Sequence, residues 1–168
     1  TTKTVESLVK EFTKTWSNKP IILTNNNYSH EAYNSYKSAA FKEATVALAA
    51  SGTVSLELAV NSVPMVIAYD VNFLSRIILK FLLKINTVTL VNIVAKTDAV
   101  PEFLGAKCQP AAIAGAIMEL LNSQELRGKQ IESHKICMER LLPEGDLTQG
   151  GFAAIKVVEH LNYNRKKV

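Results

Sequence analysis

Residues 45–69 read TVALAASGTVSLELAVNSVPMVIAY, in which two apolar runs flank a Ser-Gly turn and a helical segment. The run at 45–49 has the length and composition of a buried strand, and the segment at 53–60 has those of a helix. The Asn-Ser-Val-Pro sequence at 61–64 ends that helix. Met65–Tyr69 is then a continuous apolar run of the kind that parallel sheets bury on both faces. The order strand, turn, helix, strand predicts a βαβ unit.

Helical and strand patterns alternate before and after this unit. The predicted elements are a helix at 5–16, a strand at 21–24, helices at 31–41 and 70–83, a strand at 87–91, a short helix at 100–104, and helices at 110–121, 124–142 and 152–161. This order predicts an α/β fold with a Rossmann-like, doubly wound parallel sheet. We assign residues 1–145 to one α/β domain that lacks its first strand, and residues 146–168 to a flexible break, a C-terminal helix and a basic tail.

The composition is that of a globular domain with a modest positive charge. The chain has 168 residues, of which 48% are hydrophobic and 20% charged, and its net charge is +4. Lys and Arg are too dispersed for a nucleic-acid partner, and no apolar run is long enough for a membrane span. The cysteines lie outside any CxxC motif and the histidines show no ligand spacing, so we predict free thiols and no metal site. Because the chain begins at Thr1 with an immediate helical pattern, we expect a processed chain or a fragment.

The turn Ser51-Gly52-Thr53 is the first candidate site. In open α/β sheets, ligands bind outside the carboxyl ends of the strands, where this turn follows its strand. Gly52 allows close approach to the backbone, Ser51 and Thr53 add hydroxyl donors, and the following helix begins with unpaired amides that favour a phosphate. Glu57, four residues after Thr53, can accept hydrogen bonds from a sugar diol. The simpler alternative is a tight turn with a helix cap and a solvated Glu57.

A second group, Asn92 with Asp98, Pro101 and Glu102, also follows a predicted strand and precedes a predicted short helix. In a parallel sheet its loop emerges at the same edge as Ser51. The Asn92 amide can donate to a phosphate and accept from a base edge. The alternative is a surface Asn in a turn, with Glu102 favoured by the dipole in a first helical turn.

Residues 73–84, from Phe73 to Lys84, form a third candidate. Arg76, Lys80 and Lys84 make one cationic stripe, and apolar side chains cover the rest of the predicted helix. Such a helix can lie in a membrane interface. More often such a helix covers a sheet and exposes its charged stripe to water, and the pattern alone favours that alternative.

Two parts of the chain carry specific motifs, namely ALAASGTVSLELA at 47–59 with VPMVIAY at 63–69, and LVNIVA at 90–95 with VPEFL at 100–104. Both parts closely resemble the lipid-A-disaccharide synthase family. The order and spacing fit clearly from about residue 22 to residue 121. Where the family has Leu-Pro-Asn, this chain has Leu-Val-Asn at 90–92, and Lys96-Thr97 replaces a frequent Gly-Arg. The family's Gly-Ser-Arg motif and its amino-terminal half are absent.

The resemblance implies that this chain is the nucleotide-binding, carboxyl-terminal part of an inverting glycosyltransferase with the GT-B fold. The implied reaction joins UDP-2,3-diacylglucosamine to 2,3-diacylglucosamine-1-phosphate, releases UDP, and needs no metal or other cofactor. It also implies a cytoplasmic enzyme peripheral to the inner membrane, with residues 73–84 as the candidate contact and a homodimer as one alternative for the oligomeric state.

The resemblance also implies roles for individual residues. Ser51, Gly52 and Thr53 are assigned to the diphosphate and Glu57 to the ribose. Asn92 and Glu102 are assigned to the nucleotide or to the loop that supports it. The catalytic base is expected in the absent half, so this chain is expected to be inactive alone. Two alternatives stay open, namely another GT-B enzyme such as a UDP-sugar transferase or epimerase, and a non-catalytic α/β remnant.

Overall fold

The structure is a computed structural model that describes residues 3–24, 28–50, 52–70 and 87–141. The chain divides into two compact units, Thr1–Thr45 and Val46–Val168. The first unit contains helices α1 (Lys3–Phe12) and α2 (His30–Glu43). The second contains, in chain order, β1 (Ala47–Ala49), α3 (Val54–Val60), β2 (Met65–Tyr69), α4 (Leu90–Ala95), β3 (Glu102–Leu104), a 3₁₀ turn (Gly105–Lys107), α5 (Pro110–Asn122) and α6 (Gln124–Leu141).

The helices of the first unit have defined ends. Helix α1 gives way to a turn after Phe12, earlier than predicted, and the Thr13 hydroxyl donates to the Val9 carbonyl at 2.7 Å. Helix α2 begins after Ser29, whose hydroxyl accepts a hydrogen bond from the Ala32 amide at 3.3 Å. The predicted strand at 21–24 is wrong, since these residues form no strand and Ile21 is 92% exposed. An apolar run becomes a strand only where a neighbouring strand pairs with its backbone.

The sheet of the second unit is parallel, with the strand order β1-β2-β3 among the described residues. Ala49 pairs with Ile67, and Ile67 pairs in turn with Glu102. Strand β2 is the central strand, and its first residues, Met65, Val66 and Ile67, are fully buried. The apolar run that predicted a strand buried on both faces therefore lies where the prediction placed it.

Gln130 of helix α6 is hydrogen-bonded to the sheet. The Gln130 amide accepts a hydrogen bond from the Met65 amide at 2.8 Å and donates one to the Met65 carbonyl at 3.1 Å. Gln130 thus pairs with the backbone at the start of β2 much as another strand would. Further along α6, His134 and Cys137 are buried, and burial raises the pKa of the Cys137 thiol.

Two predicted elements between β2 and α5 are wrong. Residues 87–89 are irregular and Leu90–Ala95 is a helix, so the predicted strand at 87–91 does not form. Asn92 consequently lies in a helix rather than in a loop. The predicted short helix at 100–104 is instead β3, which pairs with β2. The prediction of Pro101 in the first turn of a helix is wrong as well, since its carbonyl accepts a hydrogen bond from the Ile67 amide of β2 at 2.9 Å.

The prediction of an α/β fold with a parallel sheet is confirmed. The predicted helices at 70–83 and 152–161 lie largely or entirely outside the described residues, as does the proposed domain boundary at 145/146. Both cysteines, Cys108 and Cys137, are free thiols as predicted. Within the described ranges, no helix combines the length and the hydrophobicity needed to cross a membrane.

Candidate functional site

The carboxyl ends of the three parallel strands meet at one edge of the sheet, which we call the carboxyl edge. The turn at Gly52 follows β1 there, and the 3₁₀ turn Gly105–Lys107 follows β3. The start of α3 and the turn after β3 therefore lie at the carboxyl edge. The segment 87–89 before α4 lies beside Glu102, the first residue of β3, which is level with the last residue of β1.

Gly52 adopts a backbone conformation that favours glycine. Its φ is +127°, and a Cβ added there would meet no heavy atom within 4 Å. The requirement for glycine is therefore conformational, and the space above the residue is open. Gly52 and Thr53 are both exposed, while Ser51 lies outside the described residues.

Helix α3 begins with Thr53 as its N-cap, but the Thr53 side chain makes no capping hydrogen bond. The Ser55 hydroxyl instead donates to the Gly52 carbonyl at 2.8 Å, and the Ser55 amide donates to the same carbonyl at 3.2 Å. Glu57 lies one turn after Thr53 and is half-buried. The exposed turn thus presents the start of a helix, where backbone amides favour an anion.

Asn92 is buried and bound to the chain that enters β3. Its side-chain amide donates to the Val100 carbonyl at 2.9 Å, and its side-chain oxygen accepts from the Val100 amide at 3.1 Å. A weaker contact of 3.4 Å joins its amide to the Glu102 carboxylate. Asn92 therefore joins α4 to the segment before β3.

Glu102 holds the segment before α4. Its carboxylate accepts hydrogen bonds from the Thr87 hydroxyl, at 2.5 Å, and from the Val88 and Thr89 amides, at 3.1 and 2.8 Å. Burial acts to raise the pKa of Glu102, but these hydrogen bonds outweigh it and lower the pKa below its ordinary value. Glu102 is thus an ionised carboxylate at the start of α4, although sequence reasoning expected it in a first helical turn of its own.

The described site residues form two groups, both in the second unit. Gly52, Thr53 and Glu57 are brought together by α3, whereas Asn92 and Glu102 are brought together by α4 and β3. Sequence reasoning missed the partners of the second group, Thr87, Val88, Thr89 and Val100. The signal was weak, because their β-branched side chains also predict a strand. Residues 73–84 lie outside the described residues.

A cavity of about 550 Å³ lies away from the carboxyl edge, between residues 97–101, α5 and α6. Its described lining includes Gln130 and, from the second candidate group, Asp98 and Pro101, but not Gly52, Thr53, Glu57, Asn92 or Glu102. Because Gln130 binds the first residue of β2, this cavity lies towards the amino end of that strand. Cavity size alone therefore does not locate the site that the sequence predicts.

A comparison with protein families agrees with the sequence motifs. Residues 1–154 match the model of the family described as lipid-A-disaccharide synthetase. The chain belongs to this family. Its Rossmann-like α/β fold is accordingly that of one half of a GT-B enzyme, as predicted.

Individual relatives give the same result. The chain is 37% identical over 145 residues to a lipid-A-disaccharide synthase of Rickettsia akari, covering 77% of this chain and 37% of the relative. It is 40% identical over 146 residues to one of Ruegeria pomeroyi, covering 87% of this chain and 35% of the relative. One of Bradyrhizobium diazoefficiens is 38% identical over 129 residues, with 77% and 31% covered. The chain thus spans about a third of the length of these relatives.

Proposed function

We propose that this chain carries the donor-binding part of a glycosyltransferase of lipid A biosynthesis. Membership of the lipid-A-disaccharide synthetase family supports the reaction class, and relatives are named lipid-A-disaccharide synthase. The observation on which the donor-binding role depends is the exposed Gly52 turn at the carboxyl end of β1. A turn of this kind at this edge is where open α/β sheets bind nucleotides.

The proposed reaction transfers 2,3-diacylglucosamine from its UDP donor to 2,3-diacylglucosamine-1-phosphate, with inversion at the anomeric carbon. The bond between that carbon and the diphosphate oxygen breaks as the acceptor oxygen attacks, and UDP leaves. Negative charge develops on the leaving diphosphate, and preorganised amides are an effective way to stabilise it. The resemblance implies that no metal shares this task, so protein donors must carry it.

We assign the diphosphate to Ser51, Gly52 and Thr53, and the ribose to Glu57. The positive φ and open surface of Gly52 support close approach of a phosphate. Because the Thr53 side chain makes no capping hydrogen bond, helix α3 does not compete with a ligand for its hydroxyl. Glu57, on the next turn of α3, can reach a diol on the same side.

The catalytic base is assigned to a part of the protein outside these residues, and we expect the chain to be inactive alone. We also propose that the enzyme acts at the cytoplasmic face of the inner membrane, where its acylated substrates would lie, with residues 73–84 as the contact. The cationic stripe predicted from the sequence suits anionic lipid headgroups, and the predicted apolar face suits the headgroup boundary.

A donor assay tests the proposed activity on the intact protein, by which we mean this chain together with the part that is proposed to supply the catalytic base. Acylated and unacylated UDP-glucosamine derivatives are compared as donors, with 2,3-diacylglucosamine-1-phosphate as acceptor. We expect transfer from the diacylated donor only. Equal use of the unacylated donor would contradict the lipid A assignment and favour another UDP-sugar enzyme, and no transfer at all would favour the non-catalytic alternative.

A pair of variants tests the residue assignments in the same assay. Glu57→Gln should raise the KM for the donor, because the amide no longer accepts two hydrogen bonds from a diol. Glu139→Gln, an exposed residue of α6, is the matched control and should leave the KM unchanged. An unchanged KM in both variants would remove Glu57 from the ribose site.

A further inference from the structure

The segment 87–92 is held at two points by buried or partly buried polar groups. Glu102 holds its beginning through the Thr87 hydroxyl and the Val88 and Thr89 amides. Asn92 holds its end through both backbone groups of Val100. The two side chains touch each other at 3.4 Å, so they form one network.

The network lies close to the carboxyl edge of the sheet. From residue 100 to residue 102 the chain runs towards the carboxyl edge. The chain of their partners runs the opposite way, because Asn92 binds Val100 and Thr89 binds Glu102. Among residues 87–95, residues 87–89 therefore lie furthest towards the carboxyl edge. Glu102 itself pairs with Ile67, level with Ala49 at the end of β1.

We propose that Glu102 is a positioning residue for the nucleotide-sugar site, acting by holding residues 87–89 as a fixed wall at the carboxyl edge. This inference rests on the proposed function, because it assigns the ligand at that edge to a nucleotide. Glu102 does not touch the ligand, since its oxygens are occupied by Thr87, Val88 and Thr89. Asn92 acts with it by fixing the other end of the same segment.

The charge of Glu102 is the property that matters. Hydrogen bonds to an ionised acceptor are roughly twice as strong as neutral ones, and this carboxylate receives several of them. An amide in its place retains one acceptor oxygen and brings a donor that faces the Val88 and Thr89 amides. Glu102→Gln therefore releases residues 87–89 while nearly preserving the volume of the side chain.

Binding of UDP to the intact protein tests the proposal. Glu102→Gln should weaken UDP binding about tenfold, the scale on which loss of a charged hydrogen bond acts. Glu102→Asp keeps the charge and should recover part of the affinity. The matched control is Gln130→Leu, which breaks a buried polar contact at the opposite end of β2, and it should lower the melting temperature without changing UDP affinity.

Amide hydrogen exchange provides a second test of the proposal, one that does not require the ligand. In Glu102→Gln, exchange of the Val88 and Thr89 amides should become at least about tenfold faster, and that of Ile67 should change little. Unchanged exchange at Val88 and Thr89 would overturn the proposal. So would UDP affinity that is equal to wild type, or that falls in Gln130→Leu as much as in Glu102→Gln.

The same measurements separate this proposal from the proposed function. If the wild-type protein does not bind UDP, the nucleotide assignment is wrong and the positioning role falls with it. Faster exchange at Val88 and Thr89 in Glu102→Gln would then leave only a structural network. If wild type binds UDP and the Glu102 variant binds it equally well, the nucleotide assignment stands and the positioning role alone is contradicted.

Discussion

Gln130 joins α6 to the first residue of β2 through both atoms of its side-chain amide. Gln130→Leu removes these bonds and leaves the buried Met65 amide and carbonyl without partners. We expect the free energy of unfolding to fall by about 2–3 kcal/mol, the cost of unsatisfied buried groups. Urea denaturation measures it, with Gln124→Leu, exposed at the start of the same helix, as a control that should change stability little. Equal stability of the two variants would contradict the role of Gln130.

His134 predicts how stability depends on pH. Its side chain is 1% exposed, and neither ring nitrogen has a hydrogen-bond partner within the described ranges. Burial lowers the pKa of His134 from 6.5 to about 4. The unfolded chain therefore binds a proton first as the pH falls, so His134 stabilises the fold fully above pH 6.5 and progressively less towards pH 4.

The size of the effect follows from the same pKa difference. Between about pH 7 and pH 5 the free energy of unfolding should fall by about 2 kcal/mol from this residue. In His134→Leu this dependence should disappear, whereas His30→Gln, at an exposed position on α2, should retain it. Denaturation curves across this range measure the slope, and identical slopes in wild type and His134→Leu would contradict the assignment.

A glycine lies in the turn before α3 and another lies within α6, and the same substitution should have opposite effects on stability at the two positions. Gly52→Ala forces an alanine to φ +127° and should cost about 1–2 kcal/mol. Gly128 lies inside α6 with open space around it, so Gly128→Ala should add about 0.5–1 kcal/mol through helix propensity. Thermal unfolding compares the pair, and a loss of stability in both variants would show that the argument from φ is wrong.

Among the elements, β1, α3 and β2 were predictable because turn residues separate them and each apolar run finds a partner in the sheet. The runs at 21–24 and 87–91 look equally strand-like, yet neither pairs. At 87–91 the Val88 and Thr89 amides donate to the carboxylate of Glu102, more than ten residues later, and a helix begins at Leu90. Local patterns do not contain such long-range hydrogen bonds.

The candidate site was predictable to a similar extent. The Gly52 turn follows from strand, glycine and helix in sequence, and the structure describes it as exposed. Asn92 and Glu102 were recognised as belonging together, but their hydrogen bonds to Val100 and to residues 87–89 were not foreseen. A side chain that supports a loop and one that binds a ligand have the same sequence signature, and only the geometry of their partners separates them.

For the molecule as a whole, every described site residue belongs to the second unit, Val46–Val168. UDP binding at the carboxyl edge should therefore stabilise the unit that contains the sheet. At a free UDP concentration about a hundred times its Kd, the free energy of unfolding should rise by about 2.7 kcal/mol. Melting temperatures measured over a UDP series give this value, and a melting temperature independent of UDP would contradict it.

The central claim is that the turn at 51–53 binds the diphosphate of a UDP-sugar, and amide chemical shifts during a UDP titration test it most directly. We predict that the Gly52, Thr53 and Val54 resonances move, and that the double variant Ser51→Ala, Glu57→Ala abolishes the movement while Glu139→Gln retains it. No movement of these resonances at millimolar UDP, or movement confined to the cavity between α5 and α6, would contradict the claim.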